Sequence, residues 1–318
     1  MRLGFVSDSL GGRSFTEMLD AAVALGVEGV EVNTGGWSTA PHFDLAAMAE
    51  PGARKAFLRA FSDRGLSLIA LNANGNPLHP TDPSQAACLK QTLRLAGEMG
   101  VPTVCTMSGL PAGAPGDTMP NWVVNAWPPE TQVMLAHQWN DVAIPFWHDM
   151  AAFAKSCGVG RIALELHANQ LVFNVPSLLR LRAAVGPMIG ANLDPSHLFW
   201  MGADPLVAAE ALGRAIYHVH AKDTFLNLPV QATRSLLENG SLTDIPARAW
   251  SYVTLGFGHG AQWWRSFCYR LLMGGYNGWL SIEHEDVLLN AHEGLAKSVA
   301  LLQGVMPTAP ADFKLQDI

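Results

Sequence analysis

Four segments in the second half of the chain end in side chains that bind cations or carry protons. They are Leu164-Glu165-Leu166-His167, Asn192-Leu193-Asp194-Pro195-Ser196-His197, His218-Val219-His220-Ala221-Lys222-Asp223 and Ser281-Ile282-Glu283-His284-Glu285-Asp286. Each begins with residues of strand character, and side chains along a strand alternate between two faces. Glu165 therefore shares a face with His167, His218 with His220, and Glu283 with Glu285, while Leu164, Leu166, Val219 and Ile282 turn the other way. An ionised carboxylate without a partner costs several kcal/mol to bury. A divalent cation held among such groups removes that cost, and carboxylates mixed with imidazole suit Mn2+, Mg2+, Co2+ or Fe2+ better than a closed structural zinc site. His42, His137, His148 and His292 stand apart from any such grouping and read as packing or surface residues.

What must position these groups is an alternation of short apolar runs and longer helical patterns. Strands are predicted at Leu3–Val6, Gly29–Asn33, Leu66–Leu71, Thr103–Met107, Arg161–Leu166, Ile189–Leu193, Ile216–His220 and Trp279–Glu283, each followed by a helical pattern. The first helix carries its own punctuation: Ser14 and Glu17 have capping-box spacing, and Gly26 is a stop. One long helix is predicted from about Pro129 to Cys157. The alternation implies an α/β chain folded as a (β/α)8 barrel, a single domain over residues 1–306 with a tail at 307–318. An open doubly wound sheet would carry a GxGxxG turn after its first strand, and Gly11-Gly12 lacks the third glycine. Long connections follow the fourth and seventh strands, Ser108–Glu130 and Asp223–Ala261, the first rich in proline and glycine and carrying Trp122 and Trp127. Both leave the end of the barrel where such folds place their sites, so they are expected to serve as lids or interface arms. A homo-oligomer or a partner subunit is the corresponding expectation.

Composition narrows the possibilities. The chain has 318 residues, of which 49% are hydrophobic and 15% charged, against roughly 25% charged in ordinary domains. This excludes extensive disorder, which needs charge-rich, apolar-poor sequence. A formal charge of −7 with no Lys/Arg run opposes nucleic-acid binding. The four cysteines form no CxxC and read as free thiols of a reducing compartment. With no secretory leader at the start and no apolar run of about 18 residues, a cytoplasmic, membrane-free protein is expected.

The motifs Asp194-Pro195-Ser196-His197, His218-Val219-His220-Ala221-Lys222-Asp223 and Ser281-Ile282-Glu283-His284-Glu285-Asp286 make this sequence similar to the xylose-isomerase-like TIM barrels, the sugar phosphate isomerase/epimerase family. The resemblance runs from Leu3-Gly4-Phe5-Val6-Ser7 to Gly294-Leu295-Ala296-Lys297. It implies Glu165, Asp194, His220 and Glu283 as ligands of one divalent metal ion, with Mn2+ the first expectation and Mg2+, Co2+, Fe2+ or Zn2+ also admissible. It also implies Glu165 and Glu283 as the acid/base pair and His197 as a substrate-side residue. His167, Lys222 and His259 complete the expected substrate-binding set. Some family epimerases carry a sugar-holding arginine beyond the seventh-strand histidine; here Leu226 stands near that place and Lys222 is the nearest base.

The resulting expectation is a metal-dependent isomerase or epimerase of a keto-sugar or related polyol, working by proton transfer through a metal-stabilised enediolate. One carboxylate set, with no obvious second-metal cluster, favours proton transfer over a hydride shift. The alternative is a lyase, a dehydratase or keto-glycoside deglycosidase subunit, which takes the same α-proton and then expels a β leaving group. A barrel nuclease would need three zinc ions and histidines at early strand ends, where Asn74 and Ser108 stand instead. The expected partner is a small-molecule sugar, with a non-phosphorylated one favoured because no Gly-rich phosphate cradle is present.

Overall fold

A computed structural model describes residues 1–310 and 312 of the chain, so much of the predicted tail lies outside the described residues. The strands are β1 (Arg2–Val6), β2 (Gly29–Asn33), β3 (Ser67–Ala73), β4 (Thr103–Met107), β5 (Arg161–Glu165), β6 (Ile189–Leu193), β7 (Ile216–Ala221), β8 (Asp223–Leu226), β9 (Trp250–Val253) and β10 (Trp279–Ile282). The helices are α1 (Phe15–Leu25), α2 (Pro51–Ser62), α3 (Pro83–Glu98), α4 (Glu130–Ala136), α5 (Ile144–Ser156), α6 (Val175–Val185), α7 (Pro195–Met201), α8 (Pro205–Leu212), α9 (Leu228–Arg234), α10 (Ala261–Met273) and α11 (Ala291–Val305).

Eight parallel strands close in the order β1-β10-β7-β6-β5-β4-β3-β2, with β2 pairing back onto β1. This is the predicted (β/α)8 barrel, and every predicted strand is present to within two residues at either end. Between barrel and helices lies the main apolar core, in which Trp147, Trp264, Phe5 and Phe267 are fully buried. The Ser14–Glu17 capping box forms in both directions, and Gly26 ends α1 at φ 73°, a left-handed conformation that glycine adopts without cost. Cys105 and Cys268 are buried, Cys88 and Cys157 half-buried, and all four thiols are free. Among the described residues no helix is long and apolar enough to cross a membrane.

Three departures from the sequence-based expectation bear on the site. The long helix predicted over 129–157 is divided by a wider π-helical turn, His137–Ala143, just before Pro145, whose nitrogen has no hydrogen to donate. The unpredicted helix α7 begins straight after Asp194, which caps it with Pro195 in the first turn. The long connection after β7 holds an antiparallel pair, β8 and β9, in which Asp223 opposes Val253 and Leu226 opposes Trp250. That hairpin packs on α7 through a parallel stack of Trp200 and Trp250, ring centroids 4.5 Å apart. The other long connection is pinned by buried Gln138, whose Nε2 donates to the carbonyls of Pro111 (3.1 Å) and Asn121 (2.7 Å).

Candidate metal centre and active site

The C-terminal strand ends bring four side chains together. Glu165 is the last residue of β5, Asp194 follows β6, His220 lies in β7 and Glu283 follows β10. One ligand atom from each lies within 4.8 Å of every other. His220 Nδ1 stands 3.5 Å from Glu283 Oε2 and 3.9 Å from Glu165 Oε2. Asp194 Oδ1 accepts from Ser196 N at 2.8 Å and so caps α7, which turns Oδ2 toward the cluster. His220 Nδ1 is buried and makes no hydrogen bond, and Asp194 Oδ2, equally buried, makes none of good geometry, with His197 Nε2 at 3.2 Å and Lys222 Nζ at 3.3 Å as its ionic neighbours. Buried polar atoms without a hydrogen bond are uncommon. Two of them within one carboxylate–imidazole group fit a divalent cation.

The electrostatics show how heavily charged this interior is. Burial on its own would push Asp194 up, but the Lys222 ammonium and His197 hold it well below the ordinary aspartate value. Burial likewise opposes ionisation of Glu283, and Lys222 and His220 overcome it, bringing its pKa to about 2. Glu165 is held below the usual glutamate value against burial, chiefly by the hydrogen bond from His197. His220 is pushed well above the ordinary imidazole value, since Glu31 and Glu283 outweigh its burial. The carboxylates are thus ionised, as metal binding requires, and His220 would release a proton and become neutral when a cation binds.

Glu165 is clamped at both oxygens. His197 Nε2 lies 2.8 Å from Oε1, and Asn74 Nδ2 donates to Oε2 at 2.9 Å. His197 is fully buried, and its Nδ1 meets Tyr252 Oη from the hairpin at 2.8 Å. Both nitrogens being engaged within the protein, His197 orients Glu165, where a substrate contact was expected. Tyr252 and Asn74 were not singled out from sequence.

A cavity of about 300 Å3 opens over the group, lined by Asp8, Trp37, Asn74, Glu165, His167, Lys222, Glu283 and Glu285 among others. His167 and Lys222, two of the expected substrate contacts, are thus on its wall. His167 Nδ1 donates to the carbonyl of Ala168 at 2.5 Å. Burial, with the neighbouring His197, lowers its pKa to about 4. Lys222 Nζ lies 2.7 Å from Glu283 Oε2, 3.1 Å from Glu285 Oε2 and 3.3 Å from Asp194 Oδ2. His259, like His197, does not line the cavity. Its Nδ1 meets Asp223 Oδ1 at 2.8 Å, and its ring stacks on Phe199 with centroids 3.7 Å apart. Asp223 Oδ2 also accepts the backbone N–H groups of Gly256, Gly258 and His259. A Cβ on Gly258 would come within 2.3 Å of the Thr224 carbonyl, so only glycine permits this approach. His259 is therefore part of the brace that holds the loop after β9.

One carboxylate went unnoticed in the sequence. Glu31, in the middle of β2, is fully buried inside the barrel. Its carboxylate lies 2.7 Å from His218 Nε2 and 3.1 Å from His220 Nε2, and it accepts from Asn72 Nδ2 at 2.7 Å. Glu31, His218 and His220 form a second metal-compatible group beneath the first, which corrects the expectation of a single set. The signal was present: Val30-Glu31-Val32-Asn33 places a carboxylate and an amide on one face of an otherwise apolar strand.

The uncharacterized protein YfiH of Bacillus subtilis (strain 168) is 47% identical over 308 residues, spanning 95% of this chain and 98% of its own length. Among solved structures, the IOLI protein with a binding zinc atom superposes with a TM-score of 0.68 at 16% identity, covering 96% of this chain and 98% of its own. The probable 3-DHS dehydratase AsbF of Bacillus anthracis gives 0.67 at 18% identity, covering 95% and 99%. At these identities the solved structures establish the fold alone. The family model for the xylose isomerase-like TIM barrel matches residues 19–305. With that match and a full-length relative at nearly half identity, the chain belongs to the xylose isomerase-like TIM barrel family.

Proposed function

We propose that this protein is a divalent-metal-dependent isomerase or epimerase of a keto-sugar or related polyol. The observation that carries the reading is the Glu165–Asp194–His220–Glu283 group, with two buried ligand atoms that make no hydrogen bond of good geometry, beneath a polar cavity of about 300 Å3. The IOLI structure, similar in fold, holds a zinc atom, which supports a metal in this chain; Mn2+ is our first assignment for this donor set. When bound, the cation would supply Lewis-acid polarisation of the substrate's carbonyl and adjacent hydroxyl oxygens.

The proton transfers fall to the two glutamates. Glu165 is 1% exposed and accepts hydrogen bonds at both oxygens, whereas Glu283 is 14% exposed and stands at the cavity. Glu283 is thus the better placed to take the proton from the carbon beside the carbonyl, and Glu165, ionised at rest, to return one that it draws from His197 Nε2, whose pKa Asp194 raises to about 9 against burial. His167, neutral and with Nδ1 committed to Ala168, keeps Nε2 as an acceptor for a substrate hydroxyl. Trp37, half exposed on the cavity wall, offers a ring face to the apolar side of a sugar. Asp8, Glu283 and Glu285 line the cavity and Lys222 is its one ammonium or guanidinium among the described residues, which favours a neutral, non-phosphorylated substrate.

Lys222 supports a second reading. Its ammonium beside Glu283 could protonate a departing oxygen after the α-proton is taken, giving β-elimination. The similarity to a probable dehydratase agrees with this. The test is to supply Mn2+ with neutral ketoses and with a 3-keto-glycoside in D2O. Deuterium at the α-carbon of an isomerised sugar supports the first reading, and release of aglycone or water the second. No turnover and no exchange with any of these substrates would reject both.

A further inference from the structure

The geometry points to Glu31 as a positioning residue, which holds His220 by Nε2 and thereby presents Nδ1 to Glu165, Asp194 and Glu283 and to the cation they bind. The inference rests on the metal-site reading above and extends it to a residue that lies outside the ligand group.

Glu31 reaches His220 across the barrel. β2 pairs with β1 and β3, and β7 with β10 and β6, so no ladder brings the two strands together. The contact runs through the interior, and the β2–β3 register shifts between Val30 and Glu31, at the residue itself. A buried carboxylate is expensive, and an apolar side chain would fill this position at lower cost. Here the carboxylate is saturated with nitrogen donors: Asn72 Nδ2 at 2.7 Å, His218 Nε2 at 2.7 Å and His220 Nε2 at 3.1 Å.

The consequence for His220 follows from imidazole chemistry. A neutral ring carries one N–H, and the nitrogen that lacks it is the one that can ligate. An ionised carboxylate only accepts, so Glu31 fixes that hydrogen on Nε2 and leaves the lone pair on Nδ1. Nδ1 is the unpartnered atom that faces Glu283 and Glu165. Carboxylate partners of this kind fix the ring's tautomer and orientation and raise its basicity as a ligand. His218 occupies the same carboxylate from one pleat deeper and belongs to no part of the first group, meeting of its members the His220 ring, edge-on with centroids 5.6 Å apart.

The test uses the full chain with Zn2+ alone as probe. Zinc affinity is measured by competition with a chromophoric chelator, stoichiometry by elemental analysis, and the His220 tautomer by 15N imidazole spectra of the zinc-loaded protein. Wild type is expected to bind one zinc through Nδ1 with the hydrogen on Nε2. Glu31→Gln is expected to keep its fold by circular dichroism, weaken zinc roughly 10–100-fold and lose the single His220 tautomer. His218→Gln is expected to bind zinc nearly as wild type. Should Glu31→Gln fail to fold, Glu31→Asp takes its place: it keeps the charge but draws it away from His220, and weakened zinc binding supports the role. Unchanged zinc affinity and unchanged His220 resonances in a folded Glu31 variant would overturn it. So would two zincs in wild type with one lost in both the Glu31 and His218 variants, which would make the deeper group an ion site. Absence of zinc binding by wild type would instead reject the metal-site reading itself.

Discussion

Tyr252 Oη stands 2.8 Å from His197 Nδ1, which ties the β8–β9 hairpin outside the barrel to the imidazole that clamps Glu165 inside it. Trp200 Nε1 donates to the same hydroxyl at 3.4 Å. Asp194 raises the pKa of His197 to about 9 against burial, so the imidazole is protonated and also donates from Nε2 to Glu165. The hairpin is therefore coupled to the site through a chain of hydrogen bonds as well as by packing.

Tyr252→Phe should lower turnover about tenfold, the equivalent of one hydrogen bond of ~1.4 kcal/mol, while metal content stays at the wild-type level. Steady-state kinetics beside elemental analysis checks this. Wild-type kcat in the variant would mean that the hairpin only covers the site.

Chelation should abolish activity, and Mn2+ or Co2+ should restore it. Asp194→Asn should bind the same metals markedly more weakly, because Asp194 Oδ2 is a ligand candidate and the amide removes its charge. Full activity after exhaustive dialysis against chelator would contradict the metal assignment.

Glu165→Gln and Glu283→Gln should each abolish turnover while retaining some metal, since an amide oxygen still ligates but takes no proton. Substrate incubated in D2O with Glu165→Gln should still exchange its α-hydrogen if Glu283 takes the proton first. Exchange by Glu283→Gln but not by Glu165→Gln would reverse that order.

Asp286, three residues beyond Glu283, supplies a pH-dependent brace for the loop after β9. Burial would raise its pKa, but donors at Thr254, Leu288 and Leu289 hold it below the ordinary 3.8. The folded state thus takes up the proton less readily than the unfolded chain. The stabilisation is complete above the unfolded value and is lost as pH falls through the lower folded one. Asp286→Asn should destabilise metal-free protein by about 1–3 kcal/mol at pH 7, and the difference should shrink as pH drops below about 4. Urea denaturation of both proteins across this range measures it; a pH-independent difference would disprove the charge argument.

The sequence by itself determined the barrel and the rim from which the site is built. Apolar runs of strand length alternating with amphipathic helices admit little else, and period-two alternation showed that Glu165, His220 and Glu283 belong to faces that carry other polar groups. Alternation does not give depth or the distance across the barrel. His218 and His220 share a face, yet only the upper one meets Glu165 and Glu283, because the strands' stagger sets which pleat is level with the rim. Glu283 and Glu285 are likewise equivalent in sequence, and closure alone put Glu283 beside His220 and left Glu285 at Lys222. His197 and His259 looked like substrate contacts because nothing local shows that Glu165, Tyr252 and Asp223 occupy their nitrogens. Glu31 lies 189 residues from His220 on a strand that never pairs with β7, so their meeting exists only once the sheet has closed.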